Sequence, residues 1–169
     1  MFVEDYRELK IENAEKIATR CFLFEKFVDD FLTRAPQTLR FQNSTALSRQ
    51  VSAERGKQED QRVNVAIHPH CHAKSILDPA FMRRLAERLP GRKATVLDTA
   101  CCGMAGAFGA LAEKYDLSVQ VGQDLIDKLE NQERETQIVA SGTSCRHQIS
   151  DLTNIHPKHM AELLAEALP

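Results

Sequence analysis

An excess of charge of one sign is missing from this sequence: 22 Lys and Arg face 24 Asp and Glu, for a formal charge of −2. Without a basic stretch the chain does not read as a nucleic-acid binder. It has no apolar run long enough to cross a bilayer. Met1 is followed by Phe2-Val3-Glu4-Asp5, which lacks the basic region and apolar core of a secretory signal. The expected location is therefore cytoplasmic, including a peripheral position on the inner face of a membrane. Tryptophan is absent and aromatics make up 6% of the residues. There are no internal repeats.

What the chain does hold is cysteine. Its 169 residues fit one domain with a sizeable core. Five cysteines, an odd number, make a poor disulfide framework in a reducing compartment and a better metal or redox set.

The patterning divides the chain into a helical arm over residues 1–34, a polar linker or mobile loop over 35–61, and a compact α/β domain over 62–169. In the arm, Ile17, Cys21, Phe24, Val28 and Phe31 recur at helical spacing and predict a buried stripe from about Glu4 to Leu32. Cys21 lies on that stripe and reads as a small core residue, not a ligand. In the linker, Leu39, Phe41, Leu47 and Val51 are scattered apolar residues able to dock on a neighbour.

From Val63 to Cys71 the sequence alternates like a strand, with His68, His70 and His72 on one face. Asp78 and Pro79 open a helix whose buried face is Phe81, Leu85 and Leu89, and Pro90-Gly91 stops it. A second strand, Ala94 to Thr99, delivers Cys101 and Cys102. A turn with Gly103, Gly106 and Gly109 follows and leads into helical sequence. No Gly-Lys-Ser/Thr follows it, so it is not a P-loop. A third strand, Thr136 to Ala140, delivers Cys145, with a further helix from near Arg146 and another over about 157–168.

Alternation of strand and helix implies a parallel sheet with helices on both faces, a three-layer, Rossmann-like arrangement. Ligands of such sheets bind beyond the carboxyl ends of the strands. Cys71, Cys101, Cys102 and Cys145 each follow such an end, so their thiols should gather at one edge of the sheet. Four thiolates are a complete donor set for an iron–sulfur cluster or a tetrahedral zinc. Backbone N–H groups of the glycine turn, with Lys74 and Arg146, would offset the sulfur charge. Cys71 between two histidines is alternatively a nucleophile.

Three segments, His70-Cys71-His72-x-Lys74, Cys101-Cys102-Gly103-Met104-Ala105-Gly106-x-Phe108-Gly109 and Gly142-Thr143-Ser144-Cys145-Arg146-His147-Gln148-Ile149, resemble the cysteine-rich CCG domain. That domain occurs in heterodisulfide reductase, in iron–sulfur subunits of glycolate and glycerol-3-phosphate oxidation, and at the C-terminus of FAD-linked oxidases of D-2-hydroxy acids, the group this chain resembles most. The resemblance implies an electron-transfer domain with an iron–sulfur cluster, [4Fe–4S] in type, or alternatively a structural zinc. Cys71, Cys101, Cys102 and Cys145 would be the ligands. His70, His72, His147, Gly103, Gly106 and Arg146 would surround them. The chain would not be catalytic alone. FAD is expected on a partner domain or subunit, the donor is a D-2-hydroxy acid such as lactate, and the acceptor is a quinone or another redox protein. One departure stands out: where the family often closes with Cys-x-x-Cys, the first of those positions is Gly142.

Overall fold

The computed structural model describes residues 5–42 and 62–169. Residues 43–61 of the expected linker, Leu47 and Val51 among them, lie outside the described residues. At their near edge, the Gln42 N–H donates to the Ala167 carbonyl at 2.7 Å, and Phe41 packs against the core.

The sheet has three parallel strands. β1 (Val63–His68) is central, with β2 (Arg92–Val96) on one side and β3 (Gln137–Ala140) on the other. Ile67 pairs with Val96 and His68 with Ala140, so the carboxyl ends lie level. The β-branched alternation of Val63, Val65 and Ile67 suits a pleated, buried strand. Between β1 and β2 run α4 (Cys71–Ile76) and α5 (Ala80–Glu87). Asp78 Oδ1 accepts the Ala80 N–H at 2.9 Å, satisfying one of the donors left open at the start of α5. After α5 the chain reverses at Gly91 (φ 71°), whose carbonyl accepts the Val63 N–H at 2.9 Å. Two 3₁₀ turns, Phe108–Ala110 and Ala112–Lys114, precede α6 (Tyr115–Glu130), and α7 (Thr143–Leu152) and α8 (Met160–Ala165) follow β3.

Alternate residues of the sheet build separate cores. Val65, Ile67 and Val139 pack with Phe81, Met82 and Leu85 of α5, Leu163 of α8 and Leu32. Ala66, Ile138 and Ala140 pack with Leu125 and Leu129 of α6 and Ile149 of α7, and Cys102 and Cys145 belong to this second core. Helices thus cover both faces of a parallel sheet, the expected class. Each large apolar side chain buried this way contributes roughly 1.5–3 kcal/mol.

Several boundaries differ from the sequence reading. The N-terminal segment forms α1 (Asp5–Glu8), α2 (Ala14–Ala18) and α3 (Phe24–Arg34), not one helix. Lys10 (φ 53°) and Asn13 (φ 61°) take left-handed backbone and break it. The buried face of α3 is Glu25, Asp29 and Leu32, one residue on from the expected stripe, and Phe24 and Phe31 are 44% and 40% exposed. The cause is an ion pair: Asp29, buried, receives Arg84 at 2.8 Å and Arg88 at 3.2 Å from the α5 side. β1 ends at His68, and Cys71 opens a helix where a strand was expected. α7 begins at Thr143, so Cys145 sits in its first turn.

Candidate metal centre

Beyond the carboxyl ends of the strands lies a cleft of about 460 Å³, lined by Cys71, Cys101, Cys102 and Cys145 together with His70, His72, Ser75, Ala105, Gly106 and Ser144. The cysteines come from three different strand exits, and all are free thiols. A larger hollow of about 550 Å³ beside the start of β3 is lined by Glu133, Arg134, Gln137 and His156 among others, and no cysteine reaches it.

The sulfurs are linked in a chain of hydrogen bonds, Cys71 with Cys101, Cys101 with Cys102, and Cys102 with Cys145. Donation from the Cys145 thiol lowers the Cys102 pKa to about 6, and the N–H groups of Met104 and Ala105 add to the effect. Cys145 is pushed up, by that same bond first and by burial second. Cys101 is also raised, chiefly by burial, and the Gly103 N–H, 3.4 Å from its sulfur, opposes this. Of these three, Cys102 is therefore the thiol that gives up its proton most readily. Among the described residues, no three His, Cys, Asp or Glu side chains converge on one point as they would around a single ion.

The glycine turn explains the converging amides. Gly103 (φ 91°), Ala105 (φ 42°) and Gly106 (φ 71°) all take left-handed backbone. Alternating hand curls successive N–H groups inward into an anion-binding nest. A Cβ on Gly103 would lie 2.0 Å from the Ser118 carbonyl oxygen of α6, so this turn needs glycine for space as well as for angle.

The loop leading to Cys101 is tied from three elements. Lys74 Nζ donates to the carbonyls of Thr99 (2.5 Å) and Ala100 (3.3 Å). His68 Nδ1 bonds Thr99 Oγ1 at 2.8 Å. From α6, Asp124 Oδ2 accepts the Ala100 N–H at 3.2 Å, and Lys128 Nζ donates to the Asp98 carbonyl.

The remaining residues named from sequence separate. His70 and His72 line the cleft with ring centroids 6.4 Å apart. Burial lowers the His70 pKa. His68, expected on their face, is 1% exposed and belongs to the interior. Arg146 turns to the backbone, donating to the carbonyls of Ala140 (3.1 Å) and Ser141 (2.9 Å). His147 is exposed and does not line the cleft. Cys21, half-buried between α2 and α3, does not line it either. A Cβ on Gly142 would lie 2.5 Å from His70 Cδ2 and 3.0 Å from Cys145 Sγ, so the imidazole fills the space a side chain there would need.

Sequence reasoning missed Glu25. It is 4% exposed, its Oε1 has no hydrogen-bond partner, and it lines a second cleft of about 290 Å³ with His70, Gly142 and His159. Its helical spacing with Asp29 was the available signal. The hold of Lys74 on residues 99 and 100 left no trace in the pattern.

The chain is 32% identical over 106 residues to a subunit of the anaerobic glycerol-3-phosphate dehydrogenase of Escherichia coli (strain K12), covering 63% of this chain and 26% of that protein. It is 26% identical over 111 residues to the D-2-hydroxyglutarate dehydrogenase of Haemophilus influenzae, covering 64% of this chain and 11% of that one. No solved structure matches. The chain thus spans about a quarter or less of these relatives. The family model of the cysteine-rich CCG domain matches residues 65–150, the span that holds all four cleft cysteines, and this chain belongs to that family.

Proposed function

We propose that the domain holds an iron–sulfur cluster on Cys71, Cys101, Cys102 and Cys145 and passes electrons between a flavin and a downstream acceptor. The observation that carries this reading is the meeting of four thiols from three strand exits around one cleft. The donor set suits the group: all-sulfur ligation is what such clusters use, and [4Fe–4S] takes four cysteines. Bound there, the cluster would supply one-electron transfer.

The chain's own residues do the rest. Cys102, with its lowered pKa, would ligate as a thiolate, and the N–H groups of Met104 and Ala105 on Cys102 and of Gly103 on Cys101 would soften the negative charge on sulfur. His70 and His72, at the rim, would hydrogen-bond to the site or carry protons to it. The flavin, FAD, would reside on a partner domain or subunit. The names of the two relatives support a hydroxyl-bearing electron donor, and a D-2-hydroxy acid such as lactate is the class we favour. A quinone or a redox protein would accept the electrons, in the cytoplasm or at the inner face of a membrane.

Anaerobic purification of the full chain, followed by iron, zinc and sulfide analysis and a visible spectrum, tests the reading. Iron with sulfide and a broad brown absorbance is expected. Colourless protein with stoichiometric zinc overturns it in favour of a structural zinc site. Loss of activity on alkylating one cysteine, with no metal released, overturns it in favour of thiol catalysis.

A further inference from the structure

We infer that Lys74 is the positioning residue that sets the separation between Cys71 and the Cys101–Cys102 pair. The inference rests on the reading of those cysteines as ligands of one metal centre. Cys71 and Lys74 lie three residues apart on α4 and so share a face of that helix. From that face the Cys71 sulfur reaches Cys101, and the ammonium reaches the carbonyls of Thr99 and Ala100, the two residues that precede Cys101. One helical turn therefore holds both a thiol and the backbone that presents its partner thiols.

The tie has few substitutes. The loop from Asp98 to Ala100 has no strand pairing of its own. Its other anchors come from α6, through Asp124 and Lys128, and from β1, through His68. Neither α6 nor β1 carries a cleft cysteine, so among these anchors only Lys74 links the α4 thiol directly to the 101–102 loop. Removing it leaves two carbonyl oxygens without their charged donor.

Cadmium is the probe, because it binds thiolates and reports on them by ultraviolet charge transfer whichever metal the protein carries in cells. The full metal-free chain is titrated as wild type, as Lys74→Met, as Lys74→Arg and as Lys93→Met, the last removing an exposed lysine of β2. Lys74→Met is expected to weaken cadmium binding roughly 10–100-fold, as loss of a support around metal ligands does. Amide exchange at Cys101, Cys102 and Gly103 should quicken in the same variant. Lys74→Arg should recover part of the affinity, and Lys93→Met should match wild type.

A Lys74→Met protein that melts lower yet binds cadmium as tightly and exchanges these amides as slowly overturns the inference and makes the lysine merely structural. If Lys74→Met does not fold, Lys74→Arg decides: its longer, planar guanidinium cannot hold the two carbonyls at the spacing the compact ammonium sets, so wild-type affinity and exchange there overturn the inference. Wild-type protein that takes cadmium but no iron overturns the cluster reading and leaves the Lys74 comparison standing.

Discussion

At the scale of single residues, the cleft separates cysteines that do different work. Cys102 is 3% exposed, holds the lowered pKa and receives the turn amides, whereas Cys21 sits away from the cleft. Cys102→Ser should lose bound metal and Cys21→Ser should keep it, as metal analysis of the two purified variants will read. Glu25 presents the opposite situation, a buried carboxylate oxygen with no partner. An unsatisfied buried acceptor costs roughly 1–3 kcal/mol, so Glu25→Leu should raise the melting temperature by the equivalent of about 1 kcal/mol. A lower melting temperature would mean that the carboxylate is satisfied after all and the cleft needs it.

At the scale of elements, the glycine turn and α6 are built against each other. Gly103 combines positive φ with a Cβ position 2.0 Å from the Ser118 oxygen, whereas Gly106 has positive φ with nothing within 4 Å. Gly103→Ala must move α6 or the turn and should cost more than about 2 kcal/mol. Gly106→Ala bears only the backbone penalty of about 1 kcal/mol. Denaturant titration of both variants checks the ordering, and equal losses would refute the close approach. The elements also mark what the sequence made legible. The strand exits and the meeting of the cysteines followed from alternation and strand order, which are local signals plus one topological rule. The face of α3 did not, because an aspartate paired with two distant arginines overrides the apolar period, and such partners are invisible along the chain. His68 failed for the same kind of reason: its ring is bonded by Thr99, a partner distant in sequence that the strand pattern does not reveal.

At the scale of the whole molecule, stability should depend on pH through His68. Burial foremost, then the charges of Lys74 and His70, lower its pKa from 6.5 to about 4. A lowered histidine pKa favours the neutral form in the fold, so the unfolded chain binds more protons between these values. The stabilisation is complete above 6.5 and is lost as pH falls toward 4. The loss amounts to about 3 kcal/mol, read as a falling denaturant midpoint. His68→Gln should flatten most of that slope, leaving a remainder from His70, whose pKa moves in the same direction. An unchanged slope in His68→Gln would assign the acid sensitivity elsewhere.

The imidazole of His70 occupies the volume that a β-carbon at position 142 would claim. Adding a fifth thiol by changing Gly142 alone therefore produces a collision before it produces a ligand. Building the Cys-x-x-Cys spacing here takes a smaller residue at position 70 together with the cysteine at 142, so the double substitution should be tolerated better than the change at 142 alone.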